Sequence, residues 1–180
     1  MTKPAKIVLG VGGGIAAFKA AALASQLVQR EHEVHVAMTA SAQQFIGALT
    51  FEGLTGRRVI VTSTQIDADG RAPHIDATRD ADLMIVAPAT ANTLGKLASG
   101  LCDDPVTLLA IACRCPRLLC PAMNDAMWED SIVQRNVEEL RGHGYVFAGP
   151  DVGHLAEGYD APGRMVEPEA IVEAAHSLLA

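Results

Sequence analysis

Of 180 residues, 49% are hydrophobic and 19% charged, a balance that supports a well-filled core and excludes a chain held open by self-repulsion. Fourteen Lys and Arg against 21 Asp and Glu give a net charge of −7, the wrong sign for a protein held on nucleic acid by phosphate contacts. No apolar run reaches the roughly 20 residues of a membrane span, and the opening Lys3-Pro4-Ala5-Lys6 leads into a run broken at Gly10 instead of a signal-peptide core. A soluble, cytoplasmic protein with one domain over residues 1–180 is therefore expected. Cys102, Cys113, Cys115 and Cys120 lack the paired C-x2-C spacing of a zinc site, so free thiols are expected and no metal.

The pattern predicts a strand at Ile7–Val11, a glycine turn, and a helix from Ile15 to Gln29 with apolar residues three and four apart. A second strand is predicted at Val34–Met38, followed by a helix capped by Thr39-Ala40-Ser41 and running through Phe45. A weaker third strand is expected at Arg58–Val61. Leu83–Ala87 and Arg117–Cys120 are further short apolar runs that end at Pro88 and Pro121, with helices between them. Tyr145–Phe147 closes the series of six strands, and Pro168–Leu179 reads as a final helix. Flexible connections are expected at Ser63–Pro73 and Asp151–Gly163. Continuous apolar runs suit strands covered on both faces, and the strand–helix rhythm gives an α/β fold, a single-domain doubly wound, Rossmann-like parallel sheet.

Three segments carry polar chemistry at strand ends. Gly12-Gly13-Gly14-Ile15-Ala16-Ala17 satisfies G-x-G-x-x-A, so backbone N–H groups at a helix start can face an anion or a polar ring edge; a tight turn packing a helix on a sheet needs the same glycines. An NAD site would also want an acid after the second strand, where the chain has Thr39 and Ser41, and the nucleoside triphosphate signature is absent. Hydroxyls there suit a terminal phosphate, which makes FMN the more economical expectation. Pro88-Ala89-Thr90-Ala91-Asn92-Thr93 reads as a ligand loop or as a helix cap. Pro121-Ala122-Met123-Asn124-Asp125-Ala126-Met127-Trp128 joins a carboxamide to adaptable apolar groups, a clamp for a small polar acid or a packed turn.

These segments resemble the flavin-dependent cysteine decarboxylase family. Pro121–Trp128 matches its P-x-M-N-x-x-M-W, Pro88–Thr93 its P-A-[ST]-A-N-T type flavin loop, and Gly12–Lys19 its opening segment, while Leu101-Cys102-Asp103-Asp104 follows as in the coenzyme A branch. The resemblance spans essentially the whole chain. It implies an FMN flavoprotein and carboxy-lyase, with Gly12, Gly13, Gly14, Ile15, Ala16, Thr39, Ser41, Pro88, Ala89, Thr90, Asn92 and Thr93 as flavin-contacting residues. It implies His74 as the base that takes a thiol proton while flavin accepts hydride from the carbon beside sulfur. The thioaldehyde so formed is an electron sink that lets the neighbouring carboxylate leave as CO2. Asn124 would hold that carboxylate, with Met127, Ala122 and Arg164 around the substrate.

The resemblance also implies a homo-oligomer built from trimers, with the active site between subunits. The expected reaction takes 4'-phosphopantothenoylcysteine to 4'-phosphopantetheine in coenzyme A biosynthesis, with a separate phosphopantothenate–cysteine ligase as a possible partner. Alternatives are oxidative decarboxylation of a C-terminal peptidyl cysteine to an enethiol, and a flavin-binding regulatory subunit like certain fungal relatives, whose acidic tails have no counterpart before Ala180. One departure stands out. The coenzyme A branch carries a cysteine in G-x-L-A-C-G-x-x-G-x-G-R-M, whereas Gly153–Met165 keeps the frame with Glu157 in that place. Glu157, His154 or Tyr159 is then the expected proton source, or the reaction stops at the enethiol.

Overall fold

The computed structural model describes residues 3–156 and 158–180. Five parallel strands, β1 (Lys6–Val11), β2 (Glu33–Met38), β3 (Leu83–Ala89), β4 (Arg117–Pro121) and β5 (Tyr145–Phe147), form one sheet in the order β2-β1-β3-β4-β5. The chain proceeds outward one way from β1 to β2 and the other way from β3 onward. The carboxyl ends of β1 and β3 therefore flank a switch point, where the connecting loops part and leave a crevice.

Period-two side-chain alternation divides the core. Ile7, Leu9 and Val11 of β1 face α1 (Ala17–Gln29), α2 (Ala48–Thr55) and α8 (Pro168–Leu179). Val8 faces the other layer, with Leu94 of α4 (Ala91–Ala98), Leu109 of α5 (Pro105–Ala112) and Val137 of α7 (Ser131–Gly142). Both faces are covered, which is why the strands read as unbroken apolar runs. Between these elements lie α3 (Pro73–Thr78) and α6 (Asp125–Glu129).

Three expectations need correction. Arg58–Val61 is not a strand: only Ile60 bridges to Ala37, because the Val59 N–H goes to Glu52 Oε1 (3.2 Å) and the Val61 N–H to Gln65 Oε1 (3.0 Å) instead of to a ladder. The helix through Phe45 is a single 3-10 turn at Ala42–Gln44, since Gly47 is extended (φ −73°, ψ 141°) and restarts the chain as α2. Asp151–Gly163 is more than a connection. It builds an antiparallel hairpin of β6 (Asp151–His154) and β7 (Asp160–Arg164), and a two-stranded ribbon with a free outer edge tolerates Pro162. The connection at Ser63–Pro73 has no strand or helix before Pro73 opens α3.

Candidate active site

At the switch point the β1–α1 turn crosses the β3–α4 loop at the closest range a backbone allows. The Gly12 N–H donates to Pro88 O (3.1 Å), and a Cβ on Gly12 would stand 2.4 Å from that oxygen. A Cβ on Gly13 would stand 2.3 Å from Ser41 Oγ. These two glycines are needed for loop packing, whatever else they touch. Gly14 differs: its nearest neighbour to a built Cβ is Thr90 Cγ2 at 3.9 Å, so it opens onto space.

That space is a cavity of about 610 Å³, walled by the β1–α1 turn, the β3–α4 loop, the segment after β4 and the hairpin. Gly13, Gly14, Ile15, Ala16 and Thr90 line one side; Ala122, Asn124, Met127 and Arg164 line the other. Thr90 caps α4 by accepting the Thr93 N–H, so its position is fixed by the helix it starts. Asn124 caps α6 in the same way through Oδ1 and the Ala126 N–H (2.9 Å). The helix cap read for Pro88–Thr93 is present at Thr90, and Asn124 adds a cap that the sequence reading of Pro121–Trp128 did not include; both side chains also line the cavity. Trp128 packs on the second core while Met127, half-exposed, faces the cavity.

The remaining predicted residues lie elsewhere. Pro88 and Ala89 are buried beneath the wall, Thr93 is buried in α4, and Asn92 is exposed on it. Thr39 and Ser41 share a 3.1 Å contact between hydroxyls, and Thr39 Oγ1 accepts the Ala42 N–H, beside Gly13 but outside the cavity lining. His74 is half-buried on α3, which packs on α5, and is not part of the lining. Glu157 lies outside the described residues.

Sequence reasoning missed Lys19 as a wall residue. It is 7% exposed, and its Nζ donates to Met165 O (2.9 Å) and Glu167 Oε1 (3.0 Å), while Arg164 shares Glu167. The hydrogen bond from Lys19 holds the Glu167 carboxyl below the usual carboxylate range. This ion triad ties the hairpin exit to α1. The signal was available: a lysine on the apolar face of an Ala-rich helix needs a buried partner.

A switch-point cavity with a side-chain-free turn on one side and a carboxamide between methionines on the other is the arrangement by which α/β folds hold nucleotide cofactors. The Flavoprotein family model matches residues 1–180. The coenzyme A biosynthesis bifunctional protein CoaBC of Bacillus subtilis is 46% identical over 169 residues, covering 94% of this chain and 42% of that protein. CoaBC of Mycobacterium tuberculosis is 42% identical over 177 residues, covering 98% and 42%. The chain thus spans about two-fifths of the length of these curated relatives. Among solved structures, a PPC decarboxylase variant complexed with pantothenoylaminoethenethiol matches with a TM-score of 0.84 at 29% identity over 97% of this chain and 98% of that one. The FMN-dependent cysteine decarboxylase TvaF from thioviridamide biosynthesis matches with a TM-score of 0.75 at 36% identity, covering 82% and 91%. The chain belongs to the Flavoprotein family, among its flavin-dependent cysteine decarboxylases.

Proposed function

We propose that the protein decarboxylates 4'-phosphopantothenoylcysteine to 4'-phosphopantetheine with FMN as cofactor, in coenzyme A biosynthesis. The observation that carries this reading is the single cavity joining Gly14 and Thr90 on one wall to Asn124 and Met127 on the other. The residues present fit FMN. A Cβ at Gly14 would project into free space a ring can fill, and apolar Ile15, Ala16 and Met123 share the lining with the positive groups of Lys19 and Arg164. When bound, FMN would accept two electrons at the substrate carbon next to sulfur and return them once CO2 has left, so that the net reaction is redox neutral and the product a saturated thiol.

The chain's own groups then have distinct tasks. Asn124 holds the substrate carboxylate by N–H donation, where an ionised Asp would repel it. Met123, Met127 and the hairpin exclude water, which strengthens that hydrogen bond. Arg164 and Lys19 add positive charge to the wall. His74 removes the thiol proton, and since it stands apart from the cavity of its own chain, it acts on that of a neighbouring copy in a homo-oligomer built from trimers. A phosphopantothenate–cysteine ligase would supply the substrate. Among the described residues no helix is long and apolar enough to cross a membrane, and a cytoplasmic reaction belongs to this proposal.

Glu157 in the Gly153–Met165 frame supports a second reading, oxidative decarboxylation of a peptide's C-terminal cysteine to an enethiol, with FMN as the two-electron oxidant and oxygen restoring it. One experiment separates them. FMN-loaded protein is incubated with phosphopantothenoylcysteine and with a cysteine-ending peptide, and products are read by mass. Loss of CO2 from the first, giving a saturated thiol, supports the proposal; loss from the peptide alone, giving a species two hydrogens lighter than the saturated thiol, supports the second reading. Protein that takes up no FMN and acts on neither compound refutes both.

A further inference from the structure

We infer that Tyr159 is a positioning residue of this site, which locks the Asn124 carboxamide in the one orientation that offers N–H to a carboxylate and shields it from the negative charge of Asp125. The inference deepens the proposed function and rests on Asn124 being the carboxylate holder. Tyr159 stands immediately before β7, at the hairpin end. Its hydroxyl donates to Asp125 Oδ1 at 2.7 Å and accepts from Asn124 Nδ2 at 3.2 Å.

The direction of these bonds follows from proton counting. An ionised carboxylate only accepts, so the single phenol proton goes to Asp125. The phenol oxygen is then an acceptor toward Asn124, and the group facing it must be the amide NH2. On its other side the Asn124 carbonyl oxygen accepts the Ala126 N–H at 2.9 Å. Flipping the carboxamide would set its oxygen against an oxygen whose proton is already committed, and its NH2 against the Ala126 N–H. Both bonds would be lost at once. The hydrogen bond from Tyr159 also holds the Asp125 carboxyl below the usual carboxylate range, so Asp125 is charged at neutral pH, one residue from the carboxamide. A phenol dipole directed at that charge reduces its repulsion of an incoming anion.

Tyr159 and Asp125 are not part of the cavity lining, whereas Asn124 is. The phenol therefore acts through Asn124, and its proton is committed to Asp125, which argues against Tyr159 as the acid that protonates an enethiolate.

Tyr159→Phe keeps the ring and removes the hydroxyl. KM for phosphopantothenoylcysteine should rise about fivefold, with kcat and the affinity for 4'-phosphopantetheine, the same molecule without its carboxylate, both held within about twofold. In an Asp125→Asn background the same substitution should cost less than about twofold. A merely structural role would weaken both ligands equally, and that result overturns the inference, as does an unchanged KM in an active enzyme. A readout without substrate separates this from the functional proposal: the Asn124 side-chain amide signals of 15N-labelled, FMN-loaded protein should shift and broaden in Tyr159→Phe. Unmoved signals refute the lock even where wild-type protein decarboxylates. Shifted signals together with a wild-type protein that turns over neither cysteine compound leave the lock standing and refute the function.

Discussion

Gly163 lies against Met123 so closely that a Cβ built on it would stand 2.3 Å from the Met123 carbonyl oxygen, while the Met123 N–H donates to Gly163 O at 3.0 Å. This contact fastens the hairpin to the segment that carries Asn124. Gly163 also has φ +130°, a region L side chains rarely enter. Gly163→Ala should therefore cost about 2 kcal/mol and lower Tm by about 6 °C, with faster proteolysis within 151–164. A melt within one degree of wild type would show that the contact is dispensable.

If His74 serves a neighbouring copy's cavity, two inactive chains should repair each other. His74→Asn and Asn124→Ala should each lower kcat/KM by about a hundredfold or more while the protein stays yellow. Oligomers reassembled from an equal mixture should regain about a quarter of wild-type activity, because random assembly pairs an intact His74 with an intact Asn124 at that fraction of interfaces. No recovery after verified mixing would place both groups in one chain's site or remove His74 from the reaction.

Lys19→Met leaves the Met165 carbonyl without its donor and Glu167 with Arg164 as its remaining cation. The expected loss is about 2 kcal/mol, read by denaturant midpoint. Glu167 has a folded pKa depressed from 4.5, chiefly by its hydrogen bond with Lys19. Its contribution is present above the unfolded value and is lost as pH falls through the folded one. The variant should therefore lose less stability than wild type on going from pH 5 to pH 3, and parallel curves would contradict the coupling.

His32 is buried, accepts the Ala5 N–H at Nδ1 (3.2 Å) and meets His176 Nε2 at 3.3 Å. Burial, then the neighbouring His176 and Arg30, lower its pKa from 6.5. The neutral form is the folded one, so stability is full above pH 6.5 and falls as acid protonates the ring. His35 shifts the same way through burial. His32→Asn retains an acceptor for the Ala5 N–H and cannot charge. Its unfolding free energy should decline less between pH 6.5 and pH 5 than that of wild type, with the residue of the slope belonging to His35.

The strands and long helices were legible because burial on both faces writes itself as apolar runs and three-to-four spacing; Pro168–Leu179 emerges with the predicted bounds. Arg58–Val61 misled because its β-branched residues are satisfied by the side chains of Glu52 and Gln65, a contact between segments that composition does not encode. The hairpin was hidden by Pro162, Gly158 and Gly163, which look like loop residues unless the ribbon's free edge is known. In the site, the loops were found from their motifs. The division of labour within them was not: Gly12, Pro88 and Thr93 serve packing, while Gly13, Gly14, Ile15, Ala16 and Thr90 reach the cavity wall, because loop crossings are set by tertiary approach.

The single rung at Ile60 reaches further than its size suggests. Ile60 accepts from the Met38 N–H and donates to Val36 O, both at 2.9 Å, and below it Glu33 pairs with Arg57 at 3.1 Å and His35 at 2.7 Å. The outer border of β2 is thus plugged above and charged below, and β5 at the opposite border is only three residues long. Both borders of the central sheet are thus poor templates for strand pairing between copies. In the proposed oligomer, the surfaces left to join copies would be helices, loops and the hairpin, the same elements that wall the switch-point crevice.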